Sequence, residues 1–177
     1  MTSQSTPMLD DNARYMRYAI REAERAQEEG EVPVGCVIIC NNEIIGKSHN
    51  QRELLQDPTA HAEVVAITQA ANKLGSWRLE ETKLFVTLEP CPMCAGAIIL
   101  ARIPEVYFGA HDPKAGACGT LMNLLEDARI NHQPKVYPGL LADECGALLS
   151  GFFQEIRRRG RESRIASRPP LPPELED

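Results

Sequence analysis

Two short stretches, His61-Ala62-Glu63 and Pro90-Cys91-Pro92-Met93-Cys94, decide how this chain is expected to fold. Together they offer one imidazole, two thiols and one carboxylate. Three protein ligands with one position left for water are typical of catalytic zinc sites, whereas structural sites close all four positions with side chains. The two stretches therefore predict a single zinc ion per subunit, held by His61, Cys91 and Cys94, with Glu63 as the base.

The sequence around each stretch places it at the start of a helix. Asp57-Pro58-Thr59 is a helix-start signal, and a helix is predicted from 60 to 71. The strand-like run 83–88 leads into the second stretch, which opens a helix from 92 to 101. Because the positive end of a helix dipole favours thiolate over thiol, two such ends at one ion suit catalysis as well as binding.

Two other interpretations of the cysteines stay open. The Cys91-x-x-Cys94 pair alone is compatible with a redox dithiol. A structural zinc site needs a fourth ligand, and the sequence offers four candidates for it: Cys118, His111, His132 and Cys145. The acidic Glu63 beside His61 would then have no role, and the joint pattern H-x-E…P-C-x-x-C is the known signature of zinc nucleobase deaminases.

Composition indicates one globular domain, predicted at 10–160. The chain has 177 residues, of which 43% are hydrophobic and 25% charged. No run is apolar enough to span a bilayer, and residues 1–11 do not resemble a secretion signal, so we expect a cytoplasmic protein without a membrane partner. Net charge is −6, which does not favour general attraction to polyanions.

Apolar periodicity predicts an α/β sandwich with a mostly apolar central sheet. Residues 1–9 and 167–177 are expected to be disordered tails. Further helices are predicted at 10–29, 121–125 and 142–159, and further strands at 34–40, 43–48, 105–109 and 135–137, with a turn at Asn41-Asn42.

Six arginines against one acid lie between residues 157 and 168. They are compatible with a solvated helix end, where cations meet the helix dipole favourably. They are equally compatible with a patch that contacts phosphates.

The chain resembles the bacterial tRNA-specific adenosine deaminases, from about residue 10 to residue 159. The resemblance rests on segments distributed along the chain, which are EVPVG at 31–35, DPTAHAE at 57–63, TLEPCPMCAGA at 87–97, FGAHDPKAGACGTL at 108–121, NH at 131–132 and GLLADEC at 139–145. The zinc signature alone is shared with cytidine, cytosine and guanine deaminases. The other segments make the tRNA enzymes the best match.

The resemblance implies a cytidine-deaminase-like three-layer sandwich, with a mixed five-stranded sheet flanked by helices, and a homodimer. It implies zinc ligation by His61, Cys91 and Cys94 and proton transfer by Glu63. Asn50 matches the asparagine that hydrogen-bonds the flipped base. Asp112 matches a position lining the RNA groove, and Phe153 an aromatic beside the anticodon loop.

The expected reaction is hydrolytic deamination of adenosine 34, the wobble base of a tRNA anticodon loop, to inosine. A free-base or nucleoside deaminase of the guanine or cytosine type is the main alternative. A non-catalytic, zinc-stabilised RNA-binding protein is the other. Two departures from the family pattern, His111 in place of a frequent arginine and Gln154-Glu155-Ile156 ahead of the arginines, bear on the RNA contacts and not on the zinc site.

Overall fold

The computed structural model is built on a mixed five-stranded sheet in the order β2-β1-β3-β4-β5. It describes residues 8–166, and their side chains from 11 to 163. The strands are β1 (Gly35–Cys40), β2 (Glu43–His49), β3 (Thr82–Leu88), β4 (Glu105–Ala110) and β5 (Lys135–Pro138). β1 pairs antiparallel with both β2 and β3, whereas β3, β4 and β5 are parallel.

Helices cover both faces of the sheet, which confirms the predicted sandwich. They are α1 (Met8–Glu28), α2 (Arg52–Leu55), α3 (Ala62–Leu74), α4 (Pro92–Ala101) and α5 (Ala142–Ala166). α3 and α4 pack on one face, around a core that includes Ile38, Leu84 and Phe108. α1 and the start of α5 pack on the other, around Phe85 and Tyr107. None of the helices within residues 8–166 has the length and hydropathy to cross a bilayer.

The β1–β2 hairpin forms where the sequence predicts it. All six residues of β1 are buried, as expected for a strand covered on both faces. Asn41 and Asn42 both have positive φ, which two-residue hairpin turns require. A Cβ at Gly35 would lie 1.9 Å from the Ala19 carbonyl oxygen, so glycine is what allows α1 to pack directly on β1.

The carboxyl ends of three strands, β2, β3 and β4, lie at the same end of the sheet. β3 ends at Leu88 and β4 at Ala110, and the two strands pair parallel with these residues in register. β2 ends at His49, opposite Gly35 at the start of β1. The segments that follow β2, β3 and β4 therefore emerge side by side, as at the carboxyl ends of strands where α/β proteins bind ligands.

Residues 121–125 are not a helix, and that prediction is wrong. The backbone N–H groups of Leu121 and Leu124 donate to the carbonyl oxygens of Gly116 and Ala117, and Cys118 forms an isolated β-bridge with Asn123. The segment folds back on the preceding loop, because these bonds to residues five to seven positions away replace the i to i−4 bonds that a helix would need.

Several element boundaries also differ from prediction. α2 lies where no helix is predicted, and α3 runs from Ala62 to Leu74 rather than from 60 to 71. α5 continues to Ala166, and Arg158 forms an ion pair across the predicted end with Glu162, one turn further on. α1 begins at Met8, so two residues of the expected N-terminal tail are helical. The rest of the tails predicted at 1–9 and 167–177 lies outside the described residues.

Candidate metal centre and its pocket

His61 and Glu63 lie at the beginning of α3. His61 is the N-cap residue, with an extended backbone (φ −75°, ψ 151°), and Glu63 is in the first turn. Asp57 stabilises the turn before the helix, because its carboxylate accepts the backbone N–H of Thr59 at 2.8 Å. Both residues therefore lie at the start of the helix, where the sequence predicts this stretch.

Cys91 and Cys94 occupy the corresponding positions on α4. Cys91 is the N-cap residue (φ −73°, ψ 173°), and Pro92 follows in the first turn, where its missing N–H costs nothing. Cys94 is buried one turn into the helix. The N-terminal ends of α3 and α4 therefore converge on the same point.

The three donor atoms fit a zinc ion. The Nδ1 atom of His61 lies 3.7 Å from the Cys91 sulfur and 3.5 Å from the Cys94 sulfur. All three donor atoms lie within 4.8 Å of one another. With zinc–sulfur bonds of about 2.3 Å and zinc–nitrogen bonds of about 2.0 Å, tetrahedral geometry requires a sulfur-to-nitrogen separation of about 3.6 Å. The donor types and their spacing thus match the ion that the sequence predicts.

The two thiols have unequal proton affinities. A hydrogen bond from Cys94 lowers the pKa of Cys91 to about 4, and His61 acts in the same direction. The same contact with Cys91, together with burial, raises the pKa of Cys94. A bound cation would favour the thiolate form of both.

Glu63 is a buried carboxyl group beside these donors. Only 4% of its surface is exposed, and burial raises its pKa to about 7. Because such a group exchanges its proton near neutral pH, it is suited to act both as a base and as an acid.

None of the four proposed extra ligands completes the site. Among the described side chains, the metal-binding group contains only His61, Cys91 and Cys94. His132 bonds the carbonyl oxygen of Ile103 at 2.8 Å, and His111 contacts Thr120 at 3.1 Å. Cys118 and Cys145 are free, buried thiols outside that group.

A pocket of about 220 Å³ opens at two of the three donors, His61 and Cys91. This is smaller than the roughly 300–1,000 Å³ of sites for drug-sized ligands, which suits a single base. It contains two of the three predicted substrate residues, Asn50 and Asp112; its lining residues are Val32, Val34, Asn50, Arg52, His61, Ala62, Glu63, Leu88, Glu89, Cys91, Asp112 and Ala115.

Phe153, the third predicted substrate residue, does not line the pocket. It lies on α5 with 37% of its surface exposed. The Lys114 ammonium lies 5.5 Å from the centre of its ring. Since Lys114 is two residues from Asp112, Phe153 lies beside the loop that forms one wall of the pocket.

Sequence reasoning did not identify Glu89, which organises that wall. Its buried carboxylate accepts the backbone N–H groups of Asp112, Cys118 and Thr120, each at 3.0 Å. Burial alone would raise its pKa, but these bonds and one from the Thr120 hydroxyl outweigh it, so the pKa is lowered. The available signal was an acid at the end of an apolar strand, directly before Pro90.

Sequence reasoning also gave no role to Glu31, although it lies in the quoted EVPVG segment. Its side chain is buried and accepts the Asn50 side-chain amide at 2.9 Å. The feature of the sequence that could have identified Glu31 is its position as an acid between two apolar elements.

Comparison with known proteins identifies the family. The family model of the MafB19-like deaminases matches residues 10–157. The tRNA-specific adenosine deaminase of Bacillus subtilis is 55% identical over 150 residues, which are 85% of this chain and 93% of that protein. The tRNA-specific adenosine deaminase of Aquifex aeolicus is 47% identical over 145 residues, covering 81% and 94%.

Solved structures give the same picture. A tRNA:A34 deaminase, studied for A-to-I editing at the wobble position of transfer RNA, superposes with a TM-score of 0.75 at 43% identity, covering 77% of this chain and 99% of that one. Guanine deaminase from Bacillus subtilis superposes with a TM-score of 0.55 at 30% identity, covering 82% and 92%. The chain belongs to the MafB19-like deaminases and to the family of tRNA-specific adenosine deaminases.

Proposed function

We propose that this protein is a zinc-dependent deaminase that hydrolyses adenosine 34 of a tRNA anticodon loop to inosine, releasing ammonia. The observation that carries the proposal is a buried carboxyl group, Glu63, beside three zinc-type donors in a base-sized pocket. The 55% identity to a tRNA-specific adenosine deaminase supports the choice of substrate.

His61, Cys91 and Cys94 would hold the zinc. When bound, zinc acts as a Lewis acid that brings the pKa of water towards neutrality. Glu63 takes a proton from the attacking water and delivers it to N1 of adenine, which makes C6 more electrophilic, and the water oxygen bonds to C6. Glu63 then takes the second proton from the hydroxyl now on C6 and gives it to the 6-amino group. The C6–N bond breaks, ammonia leaves and C6 becomes the carbonyl of inosine, so one carboxyl group acts in turn as base and acid.

The remaining residues of the pocket select and orient the base. Asn50 presents an amide to the base edge, and Asp112 lines the same pocket. A base in an anticodon loop is unpaired and enters such a pocket at lower cost than a base in a duplex. The pocket therefore favours a loop over a helical substrate.

α5 supplies the surface for the RNA backbone. Phe153, Arg157 and Arg161 are four residues apart and share one side of the helix. Neither Arg157 nor Arg161 forms an ion pair with a described residue, whereas Arg158 and Arg159 pair with Glu155. Phe153 lies beside Lys114, next to the pocket wall. On this side of α5, Arg157 and Arg161 are therefore placed to bind the phosphates of nucleotides that lie outside the pocket.

The protein acts as a homodimer through the outer face of α3 and α4. Leu100 and Trp77 are 74% and 61% exposed on this face, and the shallow depression between them is lined by Ile67, Ala71 and Ala97. Exposed apolar patches of this kind mark protein interfaces. The same two helices carry the zinc ligands at their N-terminal ends, so dimerisation would also fix the metal site.

The cytoplasm is the compartment that we propose. All six cysteines are free, and four of them (Cys36, Cys40, Cys118 and Cys145) are buried thiols outside the metal group. Free thiols persist in reducing compartments.

The direct test is a substrate panel. The protein is incubated with an anticodon stem-loop carrying adenosine 34 and, separately, with adenosine, adenine, cytidine and guanine, and ammonia release is measured. A stem-loop with guanosine at position 34 is the matched control. We expect ammonia only from the adenosine stem-loop, and release from a free base or nucleoside alone would overturn the proposal.

Guanine deaminase activity is the alternative, and 30% identity to a guanine deaminase against 55% to a tRNA-specific adenosine deaminase does not favour it. The salt dependence of substrate binding distinguishes the two activities. Binding of an RNA loop weakens steeply as salt rises, whereas binding of a small neutral base is almost independent of salt.

A further inference from the structure

Glu31 is an almost fully buried acid that touches neither the metal donors nor the pocket. It follows α1, just before β1, and 1% of its surface is exposed. Its Oε2 atom accepts the side-chain N–H of Asn50 at 2.9 Å, and its Oε1 atom accepts the backbone N–H of Leu54 at 2.8 Å. Both oxygens of one carboxyl group are thus committed to the segment that follows β2.

The first of these bonds determines which way the Asn50 amide points. An ionised carboxyl group only accepts hydrogen bonds, so the amide nitrogen of Asn50 must face Glu31. The Asn50 backbone is fixed as well, because its N–H donates to the Val34 carbonyl at 3.0 Å. The side-chain oxygen of Asn50 has no hydrogen-bond partner among the described residues. Because every fully buried side-chain oxygen among those residues does have a partner, the Asn50 oxygen is not fully buried. We place it towards the pocket that Asn50 lines.

The second bond holds α2 at the pocket mouth. Gln51, the N-cap residue of α2, makes no side-chain cap, and the Leu54 N–H in the first turn is bonded by Glu31 instead. Arg52 in the same turn lines the pocket. Glu31 therefore links the orientation of Asn50 to the placement of α2.

We infer that Glu31 is a positioning residue for substrate recognition. It holds the Asn50 amide with its oxygen towards the substrate base, so that the base meets an acceptor at a fixed place. The inference rests on the proposed function, since it concerns the base that this pocket would take. A glutamine at position 31 has one acceptor and one N–H₂ group, so it cannot accept from both Asn50 and Leu54, and the Asn50 amide is free to rotate.

The test is a double-mutant cycle on kcat/KM for the adenosine 34 stem-loop, measured under single-turnover conditions so that low rates are resolved. The variants are Glu31→Gln, Asn50→Ala and the double variant. The matched control is Glu22→Gln, which alters another buried acid, 4% exposed, that contacts His49 at 3.3 Å instead of Asn50. Thermal melts establish that each variant is folded at the assay temperature.

We expect Glu31→Gln to lower kcat/KM by about 10- to 100-fold in the wild-type background and by less than about twofold in the Asn50→Ala background. Glu22→Gln should stay close to wild type. Equal losses in both backgrounds, or no loss in the wild-type background, would contradict the inference, because Glu31 would then not act through Asn50.

Two further measurements keep the test decisive. If Glu31→Gln does not fold, the cycle is run with Glu31→Asp, which keeps both acceptor oxygens on a side chain one methylene shorter. An intermediate loss of kcat/KM that disappears in the Asn50→Ala background supports the inference. A loss of kcat/KM that persists in that background overturns it. If the wild type and Glu22→Gln both fail to deaminate the stem-loop, the proposed function itself has failed, which is a different result from loss in the Glu31 variants alone.

Discussion

The Glu63 carboxyl group lies at the start of α3, almost fully buried and two residues from His61. Replacing it with alanine removes the proton carrier and none of the three metal donors. We expect Glu63→Ala to lower kcat by about 10²- to 10⁴-fold, the usual contribution of general acid–base catalysis, while zinc content per chain stays unchanged. Inosine formation and metal analysis check both parts. Glu53→Ala, an exposed acid on α2, is the control and should retain full activity.

Glu89 makes a pH-dependent contribution to stability. Its pKa in the folded protein is lowered from 4.5, so its contribution is fully present above pH 4.5 and is lost as pH falls through the lowered value. Glu89→Gln should therefore reduce the free energy of unfolding by about 1–3 kcal/mol at pH 7, because N–H donors would then face an amide N–H₂. Urea unfolding at pH 7 and below pH 4.5 tests this. A deficit that is the same at both pH values would show that the carboxylate charge is not responsible.

The sequence predicts some residues of the site and not others. The metal donors and Glu63 follow from short spacings, since each pair lies within one turn of one helix. Glu89 and Glu31 could not be found this way, because their partners lie 19 to 31 residues away in the chain. Only the fold brings those partners together.

Most helices and strands could be predicted, because their apolar spacing is regular and their ends carry turn residues. α1, the β1–β2 hairpin, β3, α4, β4 and β5 all lie where the pattern places them. The failures come from bonds to other segments, which the apolar pattern does not reveal. Residues 121–125 are apolar enough for a helix but bond to the 116–118 loop just before them, and the four-residue α2 depends on the distant Glu31 for its first-turn bond.

α5 provides a test of RNA binding within one helix. Arg157 and Arg161 form no ion pair with a described residue, whereas Arg158 and Arg159 are paired with Glu155. We expect the double change Arg157→Gln with Arg161→Gln to weaken stem-loop binding and to reduce the slope of log K against log salt by about 1.4, which is about 0.7 for each phosphate contact on a single strand.

The charge-matched control is Arg158→Gln with Arg159→Gln, for which the slope should change little. Binding titrations at several salt concentrations give both slopes. Equal changes in the two double variants would mean that the whole helix end acts only as a diffuse positive charge.

The order of the strands in the sheet brings the residues of the site together, and this order could not be predicted from the sequence. Alternating strands and helices predict layers, but they do not determine that β3 and β4 end side by side with β2 next to β1. That arrangement unites segments as distant as Asn50, Cys91 and Asp112 in one pocket.

Assembly is expected to depend on the apolar face of α3 and α4. Leu100→Glu places a charge in that face and should convert a dimer to a monomer at micromolar concentration. Leu121→Glu, at a leucine that is 57% exposed elsewhere, is the control and should remain dimeric. Light scattering after size exclusion gives both masses. A wild-type protein that is already monomeric would show that this face has no partner of its own kind.

The measurement that bears most directly on the central claim is the zinc content of purified ligand variants. The wild type and Cys118→Ser, which changes a nearby buried thiol, should each hold about one zinc per chain. His61→Ala, Cys91→Ser and Cys94→Ser should each hold almost none. Full zinc content in any of these three variants, or loss of zinc in Cys118→Ser, would contradict an ion held by three side chains with one position open.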